Sequence, residues 1–368
     1  DFTLYDADGR AVSIGYCYES FGIITNKKLL AEAGYSLDDI TDFASLKAVA
    51  DYIHARADEL GFDAFTSSGM DDSSSWRFTG HLANMPLYYE EQADNWTECP
   101  AEIKGTYLDL YKNIWDLYTT DTATTGSALA TATGDESEAE FGEGKAAFYQ
   151  NGTWEYANLT GKFGMNPDDL AMIPIYCGVD GEEKAALCCG TENCWAVNKD
   201  ASEEDIKATL DFMNWVVTSD AGTTMLAEQF GPCPFKNAKT PENVFFAQAN
   251  EYVANGNYTV TWAFNWTPAV DDWRAAVVDA LGKYTADGGS WEVDIAAKTL
   301  KIYLTENKTT YFNYAPAYSL FKDDIEHVEI IPASESVTEM ELAYHMFTGL
   351  ENLEELTVPE GVTDISFG

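Results

Sequence analysis

The sequence predicts an α/β protein built from more than one domain. Three observations carry that expectation. From residue 11 to residue 285, apolar strand-like runs alternate with segments of helical periodicity. One of those segments, Leu46 to Leu60, places Leu46, Val49, Ala50, Ile53, Ala57 and Leu60 on a single helical face. After Gly288 and Gly289 the texture changes to short alternating strands, and 368 residues exceed what one core accommodates.

Taken in order, residues 3–6 and 11–18 read as strands joined at the Asp8-Gly9 turn. Residues 26–33 form a short helix that stops at Gly34, and Gly61 stops the Leu46–Leu60 helix. Residues 62–68 are strand-like and lead through a polar loop to Trp76 and Arg77; 76–89 and 105–119 are helical. The Thr/Ala/Gly-rich stretch 119–137 predicts a flexible loop. A strand at 145–150 precedes a helix starting near Thr153, and 170–177 and 193–198 read as buried strands. Ser202 is an N-cap, backed by Asp205, for a helix through Val217; a second helix runs from Ala221 to Gln229 and closes at Gly231-Pro232. Residues 242–255 and 269–283 are helical, and 298–304 and 326–332 are strands.

Composition narrows the function. The formal charge is −41, from 62 acidic and 21 basic side chains, a field that repels nucleic acid and anionic lipid and favours a neutral or cationic ligand. No stretch approaches ~18 uninterrupted apolar residues, so no membrane span is expected, and the opening residues are no signal peptide. Cys17, Cys99, Cys177, Cys188, Cys189, Cys194 and Cys233 are odd in number and irregularly spaced, which argues against a disulfide framework and for small apolar core residues. Four scattered histidines and the absence of a Gly-x-x-x-x-Gly-Lys-Ser/Thr loop leave no expected metal, cofactor or ATP site.

Three pieces of residues 11–285 carry a family resemblance. They are the run from the Asp8-Gly9 turn to Asn26 and Lys27, the element Phe141 to Tyr156 with its Asn-Gly-x-Trp turn, and Ala196–Ala201 together with Thr218–Gly222. In order and spacing they resemble the family 1 extracellular solute-binding proteins of ABC sugar importers, the maltose-binding-protein-like group. The resemblance implies a two-lobed periplasmic-binding-protein-like (type II) α/β fold whose hinge closes over a ligand. Lobe I would comprise residues 1–24 and 186–236, and lobe II residues 25–185 and 237–289. Family members carry further chain ahead of the hairpin, so the first lobe is expected to be incomplete. The implied partners are a neutral mono- or oligosaccharide and an ABC transporter permease. The implied setting is an extracellular, cell-surface monomer anchored as a lipoprotein through that missing region.

A sugar stacks its C–H faces on aromatic rings and needs planar polar partners for its hydroxyls. On the resemblance, Trp154 is the first platform, Trp273 a second platform on a late helix, and Glu19 a hinge-strand carboxylate facing the ligand. Trp76 and Arg77 match an aromatic ligand position, and Glu192 and Asn193 place polar groups on a returning strand. Asp71 and Asp72 are further candidates for hydroxyls, and Trp262 and Trp266 for a wall. Several have a plain alternative: a core tryptophan for Trp154, a structural hydrogen bond for Glu19, solvated loop acids for Asp71 and Asp72, ordinary packing for Trp262 and Trp266.

From about residue 290 the tail, 290–368, resembles the leucine-rich repeats of bacterial surface proteins, with Leu350, Leu353, Leu356 and Val358 in the repeat's spacing. Two rivals to an importer component follow. One is a surface-adhesion protein with a relic binding domain. The other is a glycoside hydrolase, whose carboxylate pair no local setting marks.

Overall fold

The computed structural model describes residues 3–6, 8–67, 69–71, 73–191, 193–286, 290–294, 297–304, 308–311, 325–332, 339–342, 350–358 and 364–367. These residues divide into two compact units. The first takes in 1–68, 76–123 and 134–268; the second takes in 69–75, 124–133 and 269–368.

The first unit opens with a hairpin of β1 (Thr3–Tyr5) and β2 (Ala11–Gly15), followed by β3 (Glu19–Asn26) and α1 (Lys27–Glu32). Gly9 takes φ of 76° at the turn, and Asp6 accepts hydrogen bonds from the Asp8 and Arg10 amides. Then come α2 (Phe43–His54), α3 (Ala57–Leu60) and β4 (Asp63–Phe65). The single helix expected over Leu46–Leu60 is thus two. It starts earlier because Asp42 and Ser45 form a reciprocal cap, and it breaks at Ala55 and Arg56 before ending at left-handed Gly61.

The chain continues through a wide π-helical segment Arg77–Leu82 into α4 (Asn84–Asp94), then α5 (Leu108–Thr120), α6 (Gly134–Gly142) and β5 (Ala146–Gly152). A tight helical turn Thr153–Glu155 and a second π-helical segment Asn158–Lys162 stand where one helix was expected. Next are β6 (Leu170–Ile173), β7 (Ala185–Gly190), β8 (Cys194–Trp195), α7 (Glu203–Thr218), α8 (Asp220–Gln229), α9 (Val244–Ala254) and β9 (Tyr258–Thr261).

A six-stranded sheet in the order β4-β5-β3-β7-β9 organises this unit, with β6 also paired to β3. β3 runs antiparallel to β5, β6 and β7, while β4 is parallel to β5 and β9 to β7. Its strands are buried on both faces, so they read as continuous apolar runs rather than alternating ones. One face packs Ile24, Tyr149, Met172 and Leu187 under Phe141 of α6 and Phe245 of α9. On the other, Phe65 meets both Phe148 of β5 and Tyr118 of α5.

One expectation for this region needs correction. Residues 193–198 yield only the two-residue β8, half-buried on the β1–β2 hairpin. The buried strand is β7, whose small residues Ala185, Ala186, Cys188 and Cys189 are nearly inaccessible. Cys17 and Cys177 are buried as well, which agrees with the reading of most cysteines as core residues.

The second unit holds the 3₁₀ turn Gly126–Thr131, inside the stretch expected to be a flexible loop, and α10 (Val270–Ala286). It also contains β10 (Ser290–Asp294), β11 (Thr299–Leu304), β12 (Lys308–Tyr311), β13 (His327–Pro332), β14 (Glu339–Leu342), β15 (Glu355–Thr357) and β16 (Asp364–Phe367). β11, β13 and β15 form a parallel ladder, and β12, β14 and β16 a second one. Thr299 pairs with His327 and His327 with Glu355, so the chain returns in register after 28 residues and again after 28. Leu300 and Val328 are buried in one ladder row at 0% and 1% exposure; Leu356, the third of the row, is 41% exposed on the last strand.

Candidate functional site

The pairing of three strands brings dispersed residues together at one end of the large sheet. In register, Glu19 of β3 lies opposite Gly190 of β7, and Phe21 opposite Gly152 of β5. Both glycines are seats for tryptophans. A Cβ on Gly152 would stand 2.2 Å from the Trp154 ring, and one on Gly190 would stand 2.6 Å from the Trp262 ring. Any side chain at either position displaces an indole.

Phe21 lies between these seats. Its ring stacks on His81 at 3.8 Å between centroids and on Trp262 at 5.5 Å. His81 in turn meets Trp76 edge-on at 4.7 Å and Trp154 at 5.5 Å, and the two indoles stand 6.3 Å apart at 58°. The result is an aromatic row, Trp262–Phe21–His81 with Trp76 and Trp154. Gln150 Nε2 donates to the Gly22 carbonyl and lies 2.9 Å from His81 Nδ1, which makes Nδ1 the acceptor and leaves the ring proton on Nε2.

At the same strand ends, Asn193 Nδ2 donates to Glu19 Oε2 at 2.7 Å, and the Tyr16 hydroxyl donates to Asn193 Oδ1 at 3.4 Å. Glu19 therefore carries a fixed carboxylate backed by an amide. Trp154 also borders a cavity of about 290 Å³, whose walls include Thr153, Tyr156, Phe230, Glu242 and Asn243.

Arg77 is placed differently from its neighbour Trp76. It is 3% exposed, its Nη2 donates to the Tyr149 hydroxyl at 3.0 Å, and its guanidinium lies 4.8 Å over the Trp76 ring. Trp273 is a half-buried residue of α10 in the second unit. Asp71, also in that unit, accepts from the Ser73 and Ser74 hydroxyls, an arrangement that turns its own loop. Trp266 accepts at its carbonyl from the Cys99 thiol. Glu192 and Asp72 lie outside the described residues.

The sequence reading missed Phe21, His81 and Glu155. Phe21 looked like one more core residue of β3, and His81 carried no motif. Glu155 follows Trp154 directly, and burial pushes its carboxyl up to about 7, with Glu138 adding to the rise and Arg77 opposing it. Among the described residues no group of His, Cys, Asp and Glu is arranged to hold a metal ion, and no helix is long and apolar enough to cross a membrane.

The family model of bacterial extracellular solute-binding proteins matches residues 1–251. The chain belongs to this family. Solved solute-binding proteins share its fold. A Streptococcus pneumoniae solute-binding protein in complex with the blood group A-trisaccharide is 19% identical, with a TM-score of 0.55 over 76% of this chain and 68% of that one. RafE, also from Streptococcus pneumoniae and in complex with raffinose, is 12% identical, with a TM-score of 0.56 over 74% and 69%. A protein of xylan utilization from Caldanaerobius polysaccharolyticus is 16% identical, with a TM-score of 0.57 over 77% and 71%. At such identities the likeness is one of fold. No curated protein sequence matches the chain.

Proposed function

We propose that this solute-binding protein captures a neutral sugar or oligosaccharide at the aromatic row and delivers it to an ABC transporter permease. One observation carries the reading: β3, β5 and β7 end in register with Trp154, Phe21, Trp262 and the Glu19–Asn193 pair side by side. The half-buried rings of Trp76 and Trp154 offer faces for sugar C–H surfaces over the buried Phe21 and Trp262, and the carboxylate and amide serve hydroxyls that would otherwise lose their partners on leaving water. The oligosaccharides named in the complexes with the blood group A-trisaccharide and raffinose point to the same ligand class.

In this reading Trp76, Trp154 and Trp273 are platforms, Glu19, Glu192 and Asn193 serve hydroxyls, and the lobes carry the boundaries inferred from the sequence. Closure of those lobes excludes water and gives the permease its signal. The protein acts as a binder, not as an enzyme, at the cell surface and as a lipid-anchored monomer. α7 buries only Val216 and leaves Leu210, Phe212 and Trp215 51%, 61% and 49% exposed, an apolar face of the kind that a further element would cover.

The test is a tryptophan-fluorescence titration against raffinose, xylotriose, mannotriose and chitotriose. Saturation by one of them, weakened at least ~10-fold in Trp154→Ala, is the expected outcome. A folded chain that answers to none removes the reading. A second reading, a surface-interaction protein, is favoured by the in-register parallel strands of the tail, the pairing that a leucine-rich-repeat solenoid requires. It predicts that the tail alone, and not Trp154, governs attachment to cells.

A further inference from the structure

Each of the two facing indoles is followed in the chain by a charged residue that turns inward: Arg77 after Trp76, Glu155 after Trp154. Arg77 is held between two rings, 4.8 Å from Trp76 and 5.4 Å from Tyr149. It makes one hydrogen bond, to the Tyr149 hydroxyl, which also accepts from Asn151 Nδ2 at 2.6 Å. Arg77 Nε and Nη1 are buried without a hydrogen-bond partner, and so is Glu155 Oε2. A cation with two unused donors and a carboxylate with an unused oxygen thus lie behind the pair of platforms.

We propose that Arg77 and Glu155 act together as positioning residues that set the spacing of the Trp76 and Trp154 platforms, so that sugar affinity falls when Glu155 is protonated. The inference rests on the carbohydrate reading of those platforms, but its structural half does not.

The charged and titratable groups facing Glu155 come from every element around it. α6 supplies Glu138, which is 6% exposed and is paired through Oε2 with Lys162 of the π-helical segment at 2.8 Å. The segment before α4 supplies Arg77, and β5 supplies Tyr149. Asn151 and Asn158 add neutral hydrogen bonds. Burial and the like charge of Glu138 raise the Glu155 carboxyl to about 7, so it changes charge near neutral pH.

The direction follows from desolvation. A ligand seated on the indoles dries the space behind them. A net-neutral Arg77–Glu155 pair loses less on drying than Arg77 beside a neutral acid, since an uncompensated buried cation is the costlier species. With Glu155 ionised, the guanidinium is pulled inward and Trp76 stays on it. With Glu155 protonated, Arg77 is free to follow water outward and carries Trp76 with it. Binding therefore favours the ionised acid, and affinity rises with pH across the range in which it titrates.

The experiment pairs a ligand-free readout with a binding one, on the whole chain. Tryptophan emission is followed from about pH 5 to about pH 9 without sugar, for the wild type, Glu155→Gln and Arg77→Lys, each checked for native far-ultraviolet dichroism. Expected is a transition near neutrality in the wild type that both variants lose, since lysine keeps the charge but not the planar stack on Trp76. With raffinose, xylotriose, mannotriose or chitotriose, whichever saturates, Kd should tighten ~10-fold from about pH 6 to about pH 8 in the wild type and stay flat in Glu155→Gln.

An emission transition unchanged by Glu155→Gln overturns the proposal, with or without bound sugar. Equal pH profiles of Kd in the two proteins overturn it as well. A Glu155-dependent transition in a chain that binds no sugar of the panel upholds the positioning role and sinks the carbohydrate reading instead.

Discussion

In the sheet of the first unit, β3 pairs with β5, β6 and β7, all far downstream; in the ladder of the second, β11, β13 and β15 follow one another at a constant step. The first arrangement gathers side chains from distant parts of the chain onto one sheet end. The second repeats one local pattern, with Leu300 over Val328 and Ile302 over Ile330. The ladder strands alternate, because half their residues face water. The sheet strands do not, because helices cover both faces. The candidate site lies in the region of non-local pairing, and regularity in the region of local repetition.

That contrast can be broken or sharpened by mutation. The largest effect is expected for Phe148→Ala. It removes a ring with 0% exposure from the middle of β5, and a loss of about 3–5 kcal/mol should unfold the whole first unit in one transition in a denaturant melt. Leu300→Ala, equally buried, should lose about 2–4 kcal/mol. Its damage should stay within the second unit, as a separate early transition in calorimetry, because a ladder couples only to its neighbours. If both substitutions melt the protein in a single shared step, the two regions are not built on different principles.

Gly152→Val probes function more than stability. The new side chain needs the space of the Trp154 ring, so sugar affinity should fall ~10-fold or more, with a much smaller shift in melting midpoint. Equal losses of both would mean that Trp154 is a core residue.

The smallest effect concerns Asp121, buried at the end of α5. Burial pushes its carboxyl up to about 6, and the charge of Asp51 adds to the rise. Its folded-state value lies above the unfolded one, so the folded chain holds this proton more tightly. The resulting stability is present below the unfolded value and is lost as pH rises through about 6. Asp121→Asn should therefore raise the melting midpoint near pH 7.5 and bring no gain near pH 4. A gain independent of pH would point to packing rather than charge.

Much of the fold was legible because its signals are local. Ser202 caps α7 by accepting from the Asp205 amide, and Gly61 closes α3 in the left-handed conformation, as their positions in the sequence imply. β7 was not legible. A six-residue run of alanine, leucine, cysteine and glycine has no period and resembles neither a strand nor a helix until its neighbours bury it. The candidate site was half legible. The sequence points to Trp76 and Trp154 separately, and they lie in contact range; it points to Arg77 as a ligand residue, and the structure buries Arg77 beneath one of them.

The sequence by itself determined the α/β class, most helix ends, the acidic solvent-facing surface and the aromatic and carboxylate residues from which a sugar site can be made. Those follow from periodicity, caps and composition, which act over a few residues. Only the tertiary structure decided which rings share a row, which glycines seat them and which charges turn inward behind them. Register between distant strands sets those contacts, and the desolvation that shifts Glu155 exists only once the strands have closed around it.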